Sequence, residues 1–144
     1  DRSRGLGDVY KRQMSYNGNP KSWYRVDRFL HRVPYEKTPE VYAACDILLK
    51  TSLLESFSYP PLEMMASGGY VVAVPNGGNL EYLKDGENCI LYPQGNLAEA
   101  KAAIERILTD AELRKKLDTG AEETVKERNW KRIEPQILEQ YLGK

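Results

Sequence analysis

Three short apolar runs, DILLK at 46–50, YVVAV at 70–74 and CILY at 89–92, most limit how this chain can fold. Each has strand length, is rich in β-branched or large aliphatic residues, and lacks the polar alternation of a half-solvated strand. Each therefore reads as a strand buried on both faces. Helical signals fill the segments around them, and strands alternating with helices imply βαβ units with right-handed crossovers. The expected class is α/β, a Rossmann-like parallel sheet with flanking helices.

The helices have start and stop signals. Thr38 before Pro39 and Glu40 reads as an N-cap, a proline at the first helical position and an acid in the first turn of the short helix PEVYAAC. Pro61 opens LEMMAS, which Gly68 and Gly69 stop. PNGGN (75–79) reads as a glycine turn, NLEYL as a short helix and KDGEN as a turn. A helix over 97–108 lines up Leu97, Ala100, Ile104, Ile107 and Leu108. Asp110 caps another helix carrying Leu113, Leu117 and Val125. A last helix over 133–142 tolerates Pro135 only within its first turn. Upstream, WYRVDRFL suggests a strand over 24–30.

Composition narrows the function classes. A chain of 144 residues is one domain or part of one, and its formal net charge of zero argues against an electrostatic nucleic-acid binder. Cys45 and Cys89 lie in apolar surroundings and read as buried, reduced thiols of a cytosolic protein. With His31 the only histidine, no His-Cys or His-Glu metal cluster can form. No apolar run approaches the ~20 residues of a membrane span. The opening DRSRGLGDVYKRQ shows no hydrophobic period and resembles translated sequencing-adaptor read-through. Residues 1–13 are expected to be non-native sequence, with a natural basic arm as the alternative. On that reading the natural protein continues upstream, and 14–144 is a partial domain.

In open parallel sheets, ligands bind outside the carboxyl ends of the strands. Glu55 lies in the loop leaving the strand at 46–50, and Glu63 in the first turn of the helix that follows. Fourteen glutamates make a pair at this spacing unremarkable by itself; its position is what counts. A helix start offers unpaired N–H groups and a positive dipole end, suited to phosphate. The glycines of PNGGN let backbone approach the same crevice. A nucleotide diphosphate could sit on the amides around 58–63, with Glu63 accepting from a pair of ribose hydroxyls and Glu55 from hydroxyls of the attached group. Two readings stay open: Glu63 can equally be a glutamate favouring the helix dipole, and Glu55 a solvated loop acid.

The ordered run VYAACDILLKTSLLESFSYPPLEMMASGGYVVAVPNGGNLEYLKDGENCILY resembles the donor-binding, C-terminal half of a GT-B glycosyltransferase of the retaining group 1 family. Bacterial members that build rhamnose-containing or capsular polysaccharides are the most similar. Asp46, Ser52, Glu55, Pro61, Leu62, Glu63, Met65, Ala66, Gly68, Val71, Val72, Gly77, Gly78, Glu81, Asp85, Gly86 and Asn88 carry the likeness. It covers roughly residues 24–142.

The resemblance implies that Glu63 binds the ribose of a nucleotide-sugar and that Glu55, the catalytic candidate, lies by the donor sugar and phosphates. Ser56, Phe57, Ser58, Tyr59, Pro61 and Leu62, with Gly77 and Gly78, would line the diphosphate and sugar. The segment 31–33, and with it Arg32, would lie beside the nucleobase, although a surface or packing role is preferred for His31. The nucleotide-sugar is then a substrate, with no cofactor and no obligatory metal. The acceptor would be a bacterial surface glycan, reached through an N-terminal domain outside this chain. The implied location is cytoplasmic, at the inner face of the membrane, where the full protein could associate peripherally.

Departures from the family pattern are Ser56-Phe57-Ser58 for the usual Gly-Phe-Gly, Tyr70 for proline and Cys89 for glycine. The basic pair that neutralises the leaving diphosphate lies upstream of this chain in such proteins, so the chain alone is expected to be close to inactive. The alternatives are a GT-B sugar-nucleotide epimerase and a non-catalytic sugar-nucleotide-binding module.

Overall fold

A computed structural model describes residues 10–16, 18–22 and 25–143, and the chain divides into two units, Asp1–Val41 and Tyr42–Lys144. In the first unit, β1 (Arg12–Ser15) and β2 (Arg28–His31) pair in parallel, from Arg12 opposite Arg28 to Ser15 opposite His31. The Lys11 N–H donates to Asp27 Oδ2 at 2.8 Å and the Arg32 N–H to the Ser15 carbonyl at 3.0 Å, closing the pair at both ends. The strand expected over 24–30 thus begins at Arg28; Tyr24 lies outside the described residues. Arg12 and Gln13, from the stretch expected to be non-native, form half of β1; residues 1–9 of that stretch lie outside the described residues. His31 is exposed, with Nε2 3.2 Å from the Tyr16 carbonyl and its ring 6.2 Å from that of Phe29.

A 3₁₀ turn at Tyr35–Lys37 runs into α1 (Thr38–Ala43). Thr38 is therefore the first residue of the helix rather than its cap, and its hydroxyl donates back to the Tyr35 carbonyl at 2.7 Å.

The second unit holds three parallel strands, β3 (Ile47–Lys50), β4 (Tyr70–Ala73) and β5 (Ile90–Leu91), in the spatial order β3-β4-β5. Val71, Val72 and Ala73 of the central strand are fully buried, as β-branched residues suit a pleated, covered surface. β3, expected to be buried on both faces, is instead an edge strand of this sheet with Leu49 exposed.

The core is built by Val72, Val74, Ile90 and Tyr92 against Ala100, Ala103 and Ile107 of α3 (Leu97–Thr109) and Leu113 and Leu117 of α4 (Ala111–Glu127). Leu97 and Leu108, expected on the buried side of α3, are exposed. The small Ala103 takes the inner position and lets the helix sit close. On α4 the third buried residue is Ala121, with Val125 only half-buried. Asp110 caps α4 as expected, accepting from the Leu113 N–H at 2.9 Å, and Asn96 caps α3. α4 also packs tightly on the 84–88 turn: a Cβ on Gly120 would collide with the Glu87 carbonyl. Asn88 there accepts from the Lys84 N–H and donates to the Tyr82 carbonyl and Thr124 Oγ1, each at 2.8 Å.

Two further expectations fail for local reasons. NLEYL is a hydrogen-bonded turn rather than a helix, with the Leu83 N–H donating to the Asn79 carbonyl at 2.8 Å. The last helix, α5, spans Trp130–Leu142, so Pro135 is its sixth residue rather than part of its first turn. The proline ring removes one bond, to the Lys131 carbonyl. The helix runs through all the same, with Asn129 capping the Lys131 N–H at 3.0 Å and Gly143 closing it at φ 64. Cys89 is buried, and burial followed by the Asp85 charge pushes its thiol up to about 12. Cys45 is only half-buried, and neither cysteine is in a disulfide. No helix among the described residues is long and apolar enough to cross a membrane.

Leu117 is 1% exposed at the centre of this packing. Leu117→Ala is expected to destabilise the chain by about 2–5 kcal/mol, read as a lowered urea midpoint at unchanged slope.

Candidate functional site

Because β3 and β4 are parallel, their carboxyl ends open on one edge of the sheet, and the loops that follow meet there. The first loop, 51–58, joins β3 to α2 (Tyr59–Ala66). Lys50, the last residue of β3, donates to Ser52 Oγ at 2.7 Å and to Glu55 Oε1 at 2.5 Å. The Lys50 hydrogen bond holds the Glu55 carboxyl below the usual carboxylate range. Partial desolvation opposes that shift, and a hydrogen bond with Ser52 adds to it.

The second loop, 74–83, supports the first. Asn76 and Asn79 are buried and cap each other's backbone: Asn79 Oδ1 accepts from the Asn76 N–H at 2.9 Å, and Asn76 Oδ1 from the Asn79 N–H at 3.0 Å. Asn76 Nδ2 then donates to the Ser52 carbonyl at 3.0 Å. Gly78 lies against the first loop: a Cβ there would stand 2.7 Å from the Ser56 carbonyl carbon and nearer still to the Glu55 carbonyl oxygen. The Gly78 N–H is already held by Asn76 Oδ1 at 3.1 Å. Gly78, expected among the ligand-lining residues, is thus a packing residue, while Gly77 is exposed.

Aromatic residues close the far end of the loop. Phe57 sits 5.0 Å from Tyr59 and 5.1 Å from Tyr82, with the Arg128 guanidinium 5.9 Å from its ring. Arg128 is itself paired with Glu81 at 2.5 Å. The Tyr82 hydroxyl, pushed up mainly by burial, donates to the Ser58 carbonyl. Ser58 is the N-cap of α2 in the left-handed region (φ 69, ψ 76), and its buried Oγ has no hydrogen-bond partner.

The helix start differs from expectation. It begins at Tyr59, so Glu63 belongs to the second turn rather than the first. Pro60 and Pro61 occupy positions whose N–H groups would be unpaired anyway, which is why the helix can begin there. Prolines have no N–H to offer a ligand, so Pro60 and Pro61 drop out of the expected series of amides. Pro61 is fully buried, a packing residue rather than a ligand contact. Leu62 is half-buried, while Ser56 and Tyr59 are exposed. Glu63 is half-buried beside Tyr42, whose hydroxyl is pushed up by burial first, then by the Glu63 charge and their hydrogen bond. Arg32, in the first unit, is exposed with φ 50. Among the described residues, no group of three or more His, Cys, Asp or Glu side chains could hold a metal ion.

The family model for group 1 glycosyl transferases matches residues 27–124. The chain belongs to the group 1 glycosyltransferases. Within that family it is 35% identical over 117 residues to the O-antigen biosynthesis protein RfbC of Myxococcus xanthus, covering 79% of this chain and 9% of that protein. It is 30% identical over 116 residues to the D-inositol 3-phosphate glycosyltransferase of Thermomonospora curvata, covering 81% of this chain and 27% of that one. This family member therefore spans well under a third of either relative.

Among solved structures, Anabaena HepE in complex with UDP-glucose matches with a TM-score of 0.72 at 28% identity, over 81% of this chain and 32% of that one. The C-terminal domain of the group 1 glycosyltransferase LpcC from Francisella tularensis matches at 0.62 with 27% identity, over 70% of this chain and 52% of that one. The fold is part of a GT-B domain, α/β with parallel strands flanked by helices.

Lys50, Asn76, Asn79, Tyr82 and Arg128 were not singled out in the sequence. A lysine ending an apolar strand just before Ser-x-x-Glu and two asparagines three apart were readable signals. The Arg128 contact, 47 residues from Glu81, left none.

Two substitutions in this family member should act in opposite directions. Gly78→Ala forces a methyl into the Glu55–Ser56 backbone and should destabilise the chain by about 2 kcal/mol or more. Ser58→Gly relieves a left-handed non-glycine and removes an unpartnered hydroxyl, and should stabilise it by about 1 kcal/mol. Chemical denaturation of the two variants beside wild type reads both signs. A third expectation is electrostatic. The folded-state pKa of Glu55 is depressed, so its contribution to stability is present above the ordinary carboxylate pKa and is lost as pH falls through the depressed value. Carboxyl-carbon NMR should show Glu55 titrating below the ordinary glutamate range.

Proposed function

We propose that this chain is the donor-binding part of a retaining glycosyltransferase that moves a sugar from a nucleotide diphosphate to a hydroxyl of a bacterial surface glycan. The C1–O bond to the β-phosphate breaks, the acceptor oxygen bonds C1, and the hydroxyl proton leaves with the diphosphate side of the reaction. The observation that carries the reading is the 51–58 loop. It is clamped at the carboxyl edge of a parallel sheet, carries the half-buried Glu55 and leads into α2, whose second turn carries the half-buried Glu63. A clamped, polar crevice at a helix start suits a diphosphate with a hydroxyl-bearing group at each end.

Glu63 accepts the ribose hydroxyls, and Glu55 lies by the donor sugar as the catalytic candidate. Ser56, the amides of Phe57 to Tyr59 and Gly77 lie along the phosphates. Helix dipole and cationic side chains, rather than an obligatory metal, assist departure of the diphosphate. The similarity to HepE, whose structure holds UDP-glucose, makes a uridine nucleotide the first donor to test. The kinship with an O-antigen biosynthesis protein favours a surface polysaccharide acceptor, with the protein in the cytoplasm at the inner membrane face.

Titrating UDP, GDP, dTDP and ADP into isotope-labelled chain, wild type and Glu63→Ala, checks the reading. Saturable binding of one nucleotide, weakened about tenfold or more by the substitution, about 1.4 kcal/mol, is the expected outcome. Binding that survives Glu63→Ala unchanged would overturn the ribose assignment.

A further inference from the structure

We propose that Lys50 is a positioning residue for the donor sugar, holding the Glu55 carboxylate in the one orientation in which its remaining oxygen lone pairs meet the sugar hydroxyls. The inference deepens the donor-site reading above and rests on it.

The first ground is solvent. Among the ion pairs of the described residues, Lys50–Glu55 is the only one with both side chains under a third exposed, at 18% and 26%. The helix-surface pairs Lys115–Glu112 and Lys126–Glu122 are at least 67% exposed on either side. Exposed pairs contribute little because water screens them and both side chains must be immobilised. A pair withdrawn into a crevice fixes geometry instead.

The second ground is where freedom remains. The Ser52 carbonyl is held by Asn76 Nδ2 at 3.0 Å, and the Glu55 carbonyl is backed by Gly78. The backbone on either side of the clamp is therefore set, and the Glu55 side-chain torsions are what is left to order. Lys50 does this from the last position of β3, where it is paired in register with Ala73 of β4. Its ammonium spans Ser52 Oγ at 2.7 Å and Glu55 Oε1 at 2.5 Å. A carboxylate offers about four lone-pair positions. One is taken by Lys50, and the others are left for hydroxyls. Ordering that acceptor before the sugar arrives removes an entropic cost from binding.

The test is a double-mutant cycle on the full 144-residue chain, with UDP and UDP-glucose as probes and a ¹H–¹⁵N spectrum to check folding. Lys50→Met is expected to weaken UDP-glucose about tenfold while leaving UDP within about twofold. Glu55→Ala should do the same, and adding Lys50→Met to it should cause no further loss. Lys50→Arg, which keeps a cation at the position, should bind UDP-glucose within about threefold of wild type. If Lys50→Met does not fold, Lys50→Gln carries the same comparison.

Equal loss of UDP and UDP-glucose overturns the inference, because Lys50 would then act on the phosphates directly. So do additive losses in the double variant, or UDP-glucose binding that Lys50→Met leaves intact. Wild-type chain that binds neither probe overturns the donor-site reading itself, and the inference with it.

Discussion

The close approach of Gly78 to the backbone at Glu55 and Ser56 is the constraint on which the rest of the site depends. Among the described residues, the chain between Lys50 and Tyr59 makes no backbone-to-backbone hydrogen bond beyond those of the neighbouring helix and strand. It is kept in place by neighbours: Asn76 on the Ser52 carbonyl, Tyr82 on the Ser58 carbonyl, and the bare face of Gly78 between them. A loop of this kind has little local stability, so its geometry is borrowed from the 74–83 turn. That turn is rigid because two buried amide side chains satisfy its N–H groups reciprocally.

Much of the fold was legible because its signals are local. The β-branched centre of β4, the cap Asp110, and the left-handed Gly68 after α2 each act within a few residues. What escaped depends on context. β3 reads as a buried strand, yet its exposure is set by its place in the strand order. The buried face of α3 turned on the small Ala103, whose worth is the close approach it permits rather than its hydrophobicity. NLEYL has helical composition but forms a hydrogen-bonded turn, an outcome that periodicity does not register.

The site was readable in outline and not in support. Glu55 and Glu63 stand out because their position after a strand and around a helix start has a physical meaning. Lys50 is local to Glu55, but other supports of the loop are drawn from elsewhere in the chain. Tyr82 reaches Ser58 across 24 residues and Arg128 reaches Glu81 across 47. The packing role of Gly78 is a property of a surface it touches, and no pattern around Gly77 and Gly78 separates the exposed glycine from the buried one.

The Pro60–Pro61 pair reaches beyond the folded site. Starting a helix is the unfavourable step, since several backbone torsions must be fixed before the first hydrogen bond forms. In the unfolded chain two of the torsions at the start of α2 are already held near their helical value by the pyrrolidine rings. α2 is only eight residues long, too short to be stable by itself, and so gains disproportionately from a start that is half-formed. The same pair that strips the helix end of donors therefore pre-sets part of the backbone from which the helix grows.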